Sequence, residues 1–341
     1  MTQRPAARDD TRNKIVITLL VIGVLYLSNK WMSGEIGAVF SVLKNPRLQL
    51  FSILLTAILL EGVPFLLLGS CISGAIEVLV PRVWLEERIF PRKALPAAVV
   101  GSLLGMLFPV CSCGNIPVSR RLLTKGVPVA GVVGYLLAAP IINPITIFST
   151  VAAFPGEKNI VLGRIILALI IAVMAGLILG TWKAERLFRN ASAPVHCGHD
   201  PHHGGNRFIR VLFHAEHDFF LTGRYLIAGA CVAALFQTFI PRAAVKALSA
   251  NAVCSVVVME SLGILFSLCS FADAFVAATF TGLPPAAKIA FMVAGPMSGA
   301  ALITLYMGTF ERKFAVRLIA CAAGGVLFLA SAAAFLGKGG W

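Results

Sequence analysis

The run Phe108-Pro109-Val110-Cys111-Ser112-Cys113-Gly114-Asn115-Ile116-Pro117 interrupts an apolar stretch with two prolines and a glycine. Proline removes a backbone donor and clashes with the preceding turn, so each one weakens a helix at its position. Just before the run lies an apolar window, Leu95 to Val110. Crossing a hydrocarbon core of about 30 Å takes roughly 20 mainly apolar residues. Inside that core, irregular backbone persists only where protein or a water-filled cavity satisfies it. The run therefore reads as a break in a membrane helix that lines something.

Working outward, the rest of the chain has the same character. Of 341 residues, 58% are hydrophobic and 13% charged, against roughly 25% charged in a soluble domain. The mean hydropathy is +0.88. Further apolar windows run over Leu50 to Val80, Val127 to Phe154, Ile160 to Thr181, Phe219 to Ile240, Ala252 to Leu268, Ala286 to Phe310 and Ala315 to Leu336. A short segment, Ile15 to Leu27, extends to an interfacial Trp31. It has a basic flank, but no small-residue cleavage site follows, so it reads as a retained span. The expectation is an all-α polytopic integral membrane protein with broken helices and about 8–10 membrane segments.

The net charge of +14 does not indicate nucleic acid, because Lys and Arg are scattered among short loops. That is the bias of a bacterial inner-membrane protein. Basic residues at Arg4, Arg8, Arg12 and Lys14 favour a cytoplasmic N-terminus. Most of the eight Cys lie in apolar spans, which excludes a secreted disulfide framework.

The sequence repeats itself. Gly69-Ser70-Cys71 matches Gly229-Ala230-Cys231, and Cys111-Ser112 matches Cys269-Ser270. Asn115 matches Asp273, and Ala139-Pro140 resembles Gly295-Pro296. This divides the chain into an N-terminal tail and first segment (1–47), a first repeat (48–181), a polar loop (182–218) and a second repeat (219–336). If the stretch around Cys111 is re-entrant, each half crosses an odd number of times and the repeats are inverted, as in many transporters. Basic residues in the loop place it in the cytoplasm.

Four groups of residues carry candidate chemistry. Cys111 and Cys113, with Ser112 and Asn115 beside them and Cys269 in the second half, are candidate ligands for a soft ion. Thiolate sets suit Cu(I), Zn(II) or trivalent arsenic-like species better than hard cations, although buried Cys is also an ordinary small hydrophobe. Pro140, Asn143 and Pro296 mark further helix breaks that free backbone groups for a pathway. Intramembrane acids are expensive and therefore functional candidates, so Asp273, Glu61 and Glu260 are candidates for proton coupling. Finally, His196, Cys197, His199, His202 and His203 form a tract of metal-ligand types in the polar loop. Their spacing fits no closed zinc motif, so a labile metal-gathering loop and a plain linker both remain open.

There is no Gly-rich phosphate loop followed by Lys-Ser/Thr, and no Ser-His-Asp set can be assembled. The chain is expected to be no enzyme and to need no cofactor. Its expected partners are the lipid bilayer, a small soft metal or metalloid substrate, and a soluble protein on one side of the membrane.

The run Cys111 to Pro117, followed by Lys125-Gly126-Val127-Pro128 and Leu137-Ala138-Ala139-Pro140-Ile141-Ile142-Asn143-Pro144, resembles the predicted permease family that includes the organoarsenical efflux permease ArsP. Leu268-Cys269-Ser270-Phe271-Ala272-Asp273-Ala274-Phe275 and Ala294-Gly295-Pro296-Met297 look like that family's other marks. The resemblance spans about residues 50 to 336. It implies export of trivalent organoarsenicals or related soft species from the cytoplasm, with cysteines of these motifs as ligands. A Zn/Cu transporter, a non-transporting metal sensor or scaffold, and a thiol–disulfide membrane enzyme are the competing readings.

Overall fold

The computed structural model describes residues 46–85, 89–91, 93–107, 110–182, 207–239 and 252–336, with Gly23 and Leu187 besides. The first half contains α1 (Pro46–Leu79), α2 (Ala94–Leu104), α3 (Ser112–Thr124), α4 (Val129–Ile142), α5 (Pro144–Ala153) and α6 (Lys158–Leu179). The second contains α7 (Arg207–Phe239), α8 (Ala252–Phe266), α9 (Asp273–Thr279), α10 (Pro285–Ser298), α11 (Ala300–Thr309) and α12 (Arg312–Leu336). No strand occurs among the described residues. The chain is an all-α polytopic membrane protein.

Apart from one extra turn of helix at Arg82–Trp84 in the first half, both halves show the same order: a long helix, two short helices, a helix pair split at one residue, and a long helix. Six helices are long and apolar enough to cross a bilayer among the described residues: α1, the α4–α5 pair, α6, α7, the α10–α11 pair and α12. The expected 8–10 segments comprise these six, the two shorter apolar helices α2 and α8, and Ile15 to Leu27, which lies outside the described residues apart from Gly23. The windows Leu95 to Val110 and Ala252 to Leu268 hold α2 and α8, of 11 and 15 residues. At 1.5 Å per residue they span about 16 and 22 Å, too little for a ~30 Å core.

These short helices instead form hairpins that enter and return on one face. At the end of α3, Lys125 Nζ donates to the Glu77 and Val80 carbonyls at 2.7 and 3.2 Å, beside the end of α1. At its start, Cys111 and Cys113 lie beside Glu61 and Phe65 in the middle of α1. The α2–α3 hairpin thus enters from the face where α1 ends. In the second half, α8 and α10 pack side by side, and Lys288 near the start of α10 lies over the ring of Phe154 at the end of α5, opposite the end at which α4 leaves α3. That hairpin enters from the face where α1 starts.

The split helices occupy the centre. Buried residues make up 78% of the best apolar window in α4–α5 and 83% in α10–α11, against 17% in α1. Hence α1, α6 and α12 present their apolar outer faces to lipid, for example Leu67, Ile178 and Phe328.

Two boundaries shift from the sequence reading. Helix α7 begins at Arg207, so residues 207–218, read as loop, are its first turns. Asp218 is buried there in ion pairing. Pro117 lies inside α3 rather than at the break, which falls before Ser112. The Ile15 to Leu27 segment, apart from Gly23, and the tract 196–203 lie outside the described residues.

Charge is uneven between the faces. On the face where α1 ends stand Arg82, Lys93, Lys125, Arg207, Arg210, Arg312, Lys313 and Arg317. The opposite face carries Arg47, Lys158 and Lys288 among the described residues.

Close backbone approach holds α2 on α4. A Cβ added to Gly101 would lie 1.9 Å from the Gly131 carbonyl oxygen, whereas one on Gly324 meets nothing within 4 Å. Forcing backbone apart costs typically about 1–3 kcal/mol. Gly101→Ala should therefore lower the thermal unfolding midpoint in detergent by several degrees, and Gly324→Ala should leave it unchanged or slightly raised. Equal midpoints for the two variants would contradict this packing.

Candidate substrate-binding site

The tips of the two hairpins meet at one cavity of about 140 Å³. Its walls include Cys111, Ser112 and Cys113 from the first tip, Ser267, Leu268 and Cys269 from the second, Glu61 from α1 and Gln237 from α7. Apolar side chains such as Ile58, Phe65, Leu226 and Leu302 complete it. The Cys111 and Cys113 side chains interact with one another, and that of Cys269 interacts with Glu61. The structure thus gathers all three cysteines and one of the three acids singled out in the sequence. Among the described residues, no three His, Cys, Asp or Glu side chains form a ready metal-holding group. The cysteines face a shared space rather than a closed cage.

Why the tips sit there follows from backbone hydrogen bonding. Pro140 lacks an N–H, so the carbonyl four residues earlier, at Leu136, loses its helical donor. Asn115, buried in the first hairpin, supplies one: its Nδ2 donates to the Leu136 carbonyl at 3.0 Å and to that of Tyr135 at 3.4 Å. Pro296 does the same to the Met292 carbonyl in α10. Here the donor is Arg164 of α6, whose guanidinium reaches Met292 O at 3.2 Å. Asp273, which the sequence pairs with Asn115, cannot play that part, because a carboxylate cannot donate to a carbonyl. It instead orients Arg164, Nη2 to Oδ2 at 2.7 Å. Arg164 also donates to the Ser270 carbonyl at 3.2 Å and to Thr150 Oγ1 at 2.8 Å. One side chain therefore ties α5, α6, α10 and the second hairpin together.

The helix splits are capped in matching fashion. Asn143 Oδ1 accepts from the Thr146 N–H at 2.8 Å and opens α5, and Thr146 Oγ1 donates to the Pro140 carbonyl at 3.1 Å. In the second half Gly299 has no side chain to offer. Ser267, at the hairpin tip with φ 44°, accepts from the Ala301 N–H at 3.0 Å instead. Asn143, Pro140 and Pro296 thus shape the framework around the cavity and do not line it, nor does Asn115.

The remaining acids are placed elsewhere. Asp273 is committed to Arg164. Glu260 is buried on α8, away from the cavity wall, and its Oε2 has no hydrogen-bond partner among the described residues. Sequence reasoning missed Arg164, Gln237 and Ser267. Arg164 was legible, because a cation within the apolar run Lys158–Leu179 is as costly as an acid. Gln237 and Ser267 carry no such signal.

The family model described as Predicted permease (ArsP_1) matches residues 47–334. The chain belongs to this predicted permease family. It is 39% identical over 277 residues to a Bacillus subtilis (strain 168) protein named UPF0718 protein YcgR, covering 80% of this chain and 92% of that one. It is also 35% identical over 289 residues to a Streptococcus mutans (strain ATCC 700610 / UA159) protein named as a candidate two-component membrane permease complex subunit, covering 83% and 94%. No solved structure matches.

Leaving one member of a buried ion pair without its partner costs about 3–5 kcal/mol, whereas removing both costs far less. Arg164→Met alone should destabilise the folded chain strongly. Arg164→Met combined with Asp273→Asn should recover most of that loss, because the introduced amide can donate to the Met292 carbonyl as Asn115 does to that of Leu136. Unfolding midpoints of the two singles and the double form a cycle; purely additive losses would contradict the bridge.

Proposed function

We propose that this member of the predicted permease family exports a soft metal or metalloid species, of the trivalent organoarsenical type, from the cytoplasm in exchange for protons. The observation that carries this reading is the convergence of Cys111, Cys113 and Cys269 with Glu61 on one cavity within the membrane. Thiolates bind a thiophilic centre, and the apolar wall accommodates an organic substituent. Protonating a thiolate weakens its bond to the metal centre, so a proton arriving from outside favours release. Glu61, against Cys269, is the acid best placed to pass that proton. Asp273 and Glu260 are structural in this reading.

The excess of Arg and Lys on the face where α1 ends supports placing that face in the cytoplasm of a bacterial inner membrane. It then carries the polar loop, and the N-terminal tail lies on the same side if residues 15–31 cross once. Each half crosses three times, so the halves act as inverted repeats around the cavity. A relative named as a subunit of a two-component complex supports a second protein working with this chain.

The test is transport into everted membrane vesicles, alongside a resistance panel of methylarsenite, arsenite, antimonite, copper and zinc in a sensitive host. Methylarsenite accumulation should require a proton gradient. It should fall to the level of empty vesicles in Cys111→Ser and Cys269→Ser, and drop in Glu61→Gln with the fold intact. Neither accumulation nor resistance for any of the five species would overturn the proposal.

A further inference from the structure

The cavity is open toward one face and sealed toward the other, and the seal is ionic. Along α1, the residues lining the cavity run from Leu54 to Phe65. From Leu66 onward the inward face closes: Leu66, Ser70 and Ser73 are all at 0% exposure. On α7 the cavity reaches Gln237 near the helix end, whereas Asp218 and Thr222, toward the helix start, are buried. The space therefore opens toward the face where α1 starts.

Beneath the first hairpin tip, α1, α3 and α7 are locked together. Arg121 of α3 grips Asp218 of α7 through two hydrogen bonds, Nε to Oδ2 at 3.0 Å and Nη2 to Oδ1 at 3.2 Å. Ser73 of α1 donates to the same carboxylate at 2.6 Å. Glu77 of α1 lies 3.6 Å from Arg121 and 3.7 Å from Lys125. Closer to the tip, a Cβ on Gly69 would lie 2.2 Å from the Gly114 carbonyl oxygen, which leaves no gap between α1 and α3.

We infer that the Arg121–Asp218–Glu77 cluster is the gate on the second face, closed in this structure, and that transport requires it to part. A packed apolar seal would be equally tight, but parting it would expose apolar surface to water. An ionic seal exposes groups that water solvates well, so the open and closed states differ less in free energy. The cluster draws one group from the hairpin that carries Cys111 and Cys113 and another from α7, so a small tilt of that hairpin breaks it. This inference takes its purpose from the permease reading, but its geometry stands alone.

The experiment is labelling with a membrane-impermeant maleimide, applied to right-side-out and to everted vesicles holding the full chain, with modified cysteines mapped by mass spectrometry. In the natural chain Cys113 and Cys269 should be modified in right-side-out vesicles and protected in everted ones. Asp218→Asn and Arg121→Gln should raise modification in everted vesicles by about tenfold, while labelling in right-side-out vesicles stays unchanged and so reports an intact fold. Where either variant fails to fold, Glu77→Gln, at the more exposed edge of the cluster, replaces it and should give a smaller rise. Equal labelling from both faces in the natural chain, labelling only in everted vesicles, or protection that survives all three substitutions would overturn the gate. The expected labelling in a chain that moves none of the tested species would refute the soft-metal substrate and leave the gate standing.

Discussion

Carbonyl groups stranded in hydrocarbon need donors, and in this chain that need decides where everything else sits. Pro140 and Pro296 each strip a helical donor from a carbonyl in one of the two most buried helices. No water is at hand there to make up the loss, and an unsatisfied group costs several kcal/mol. Asn115 answers the first directly, and Arg164 with Asp273 answers the second. Both answers involve a hairpin tip, so satisfying the backbone also delivers the cysteine-bearing tips to the same depth. The site is a by-product of hydrogen bonding in a solvent that offers no substitutes.

The two halves solve the same problem with different chemistry, and the difference has consequences. In the first half the donor is neutral and belongs to the hairpin itself. In the second it is a charged group on α6, so the second hairpin is fastened to the opposite half of the molecule. The splits of α4–α5 and α10–α11 diverge likewise: Asn143 caps its own helix, whereas Gly299 relies on Ser267 of the hairpin tip. The second tip is consequently held by Arg164 and by the start of α11 together. The first depends on Asn115 and, lower down, on the ionic cluster around Arg121.

Much of this is legible in the sequence. Low charge and apolar windows specify a helical membrane protein, and the prolines with Cys111, Cys113 and Cys269 mark where the helices are interrupted. Asn115 and Asp273, paired in the sequence, each take part in one of the two donor arrangements. What cannot be read is partnership. Nothing in the sequence says that Asp273 faces Arg164, 109 residues away, so it looks like a free proton carrier. Hydropathy also cannot separate α2 and α8 from true spans. They are as apolar as their neighbours, and only their length, set by the following break, stops them from crossing. The polar stretch 207–218 looks like loop, yet Asp218 within it is committed to an ion pair with α3 rather than to water.

The proposed binding, coupling and gating all depend on the two hairpin tips sharing one space in the membrane. The direct measurement is cross-linking of the natural chain in native membranes with a short bifunctional thiol-reactive reagent such as a bis-maleimide, followed by peptide mapping. A shared space predicts a product joining a peptide containing Cys111 or Cys113 to one containing Cys269. Mono-modified peptides from both tips with no joined product would contradict it, because the cysteines would then open onto separate spaces.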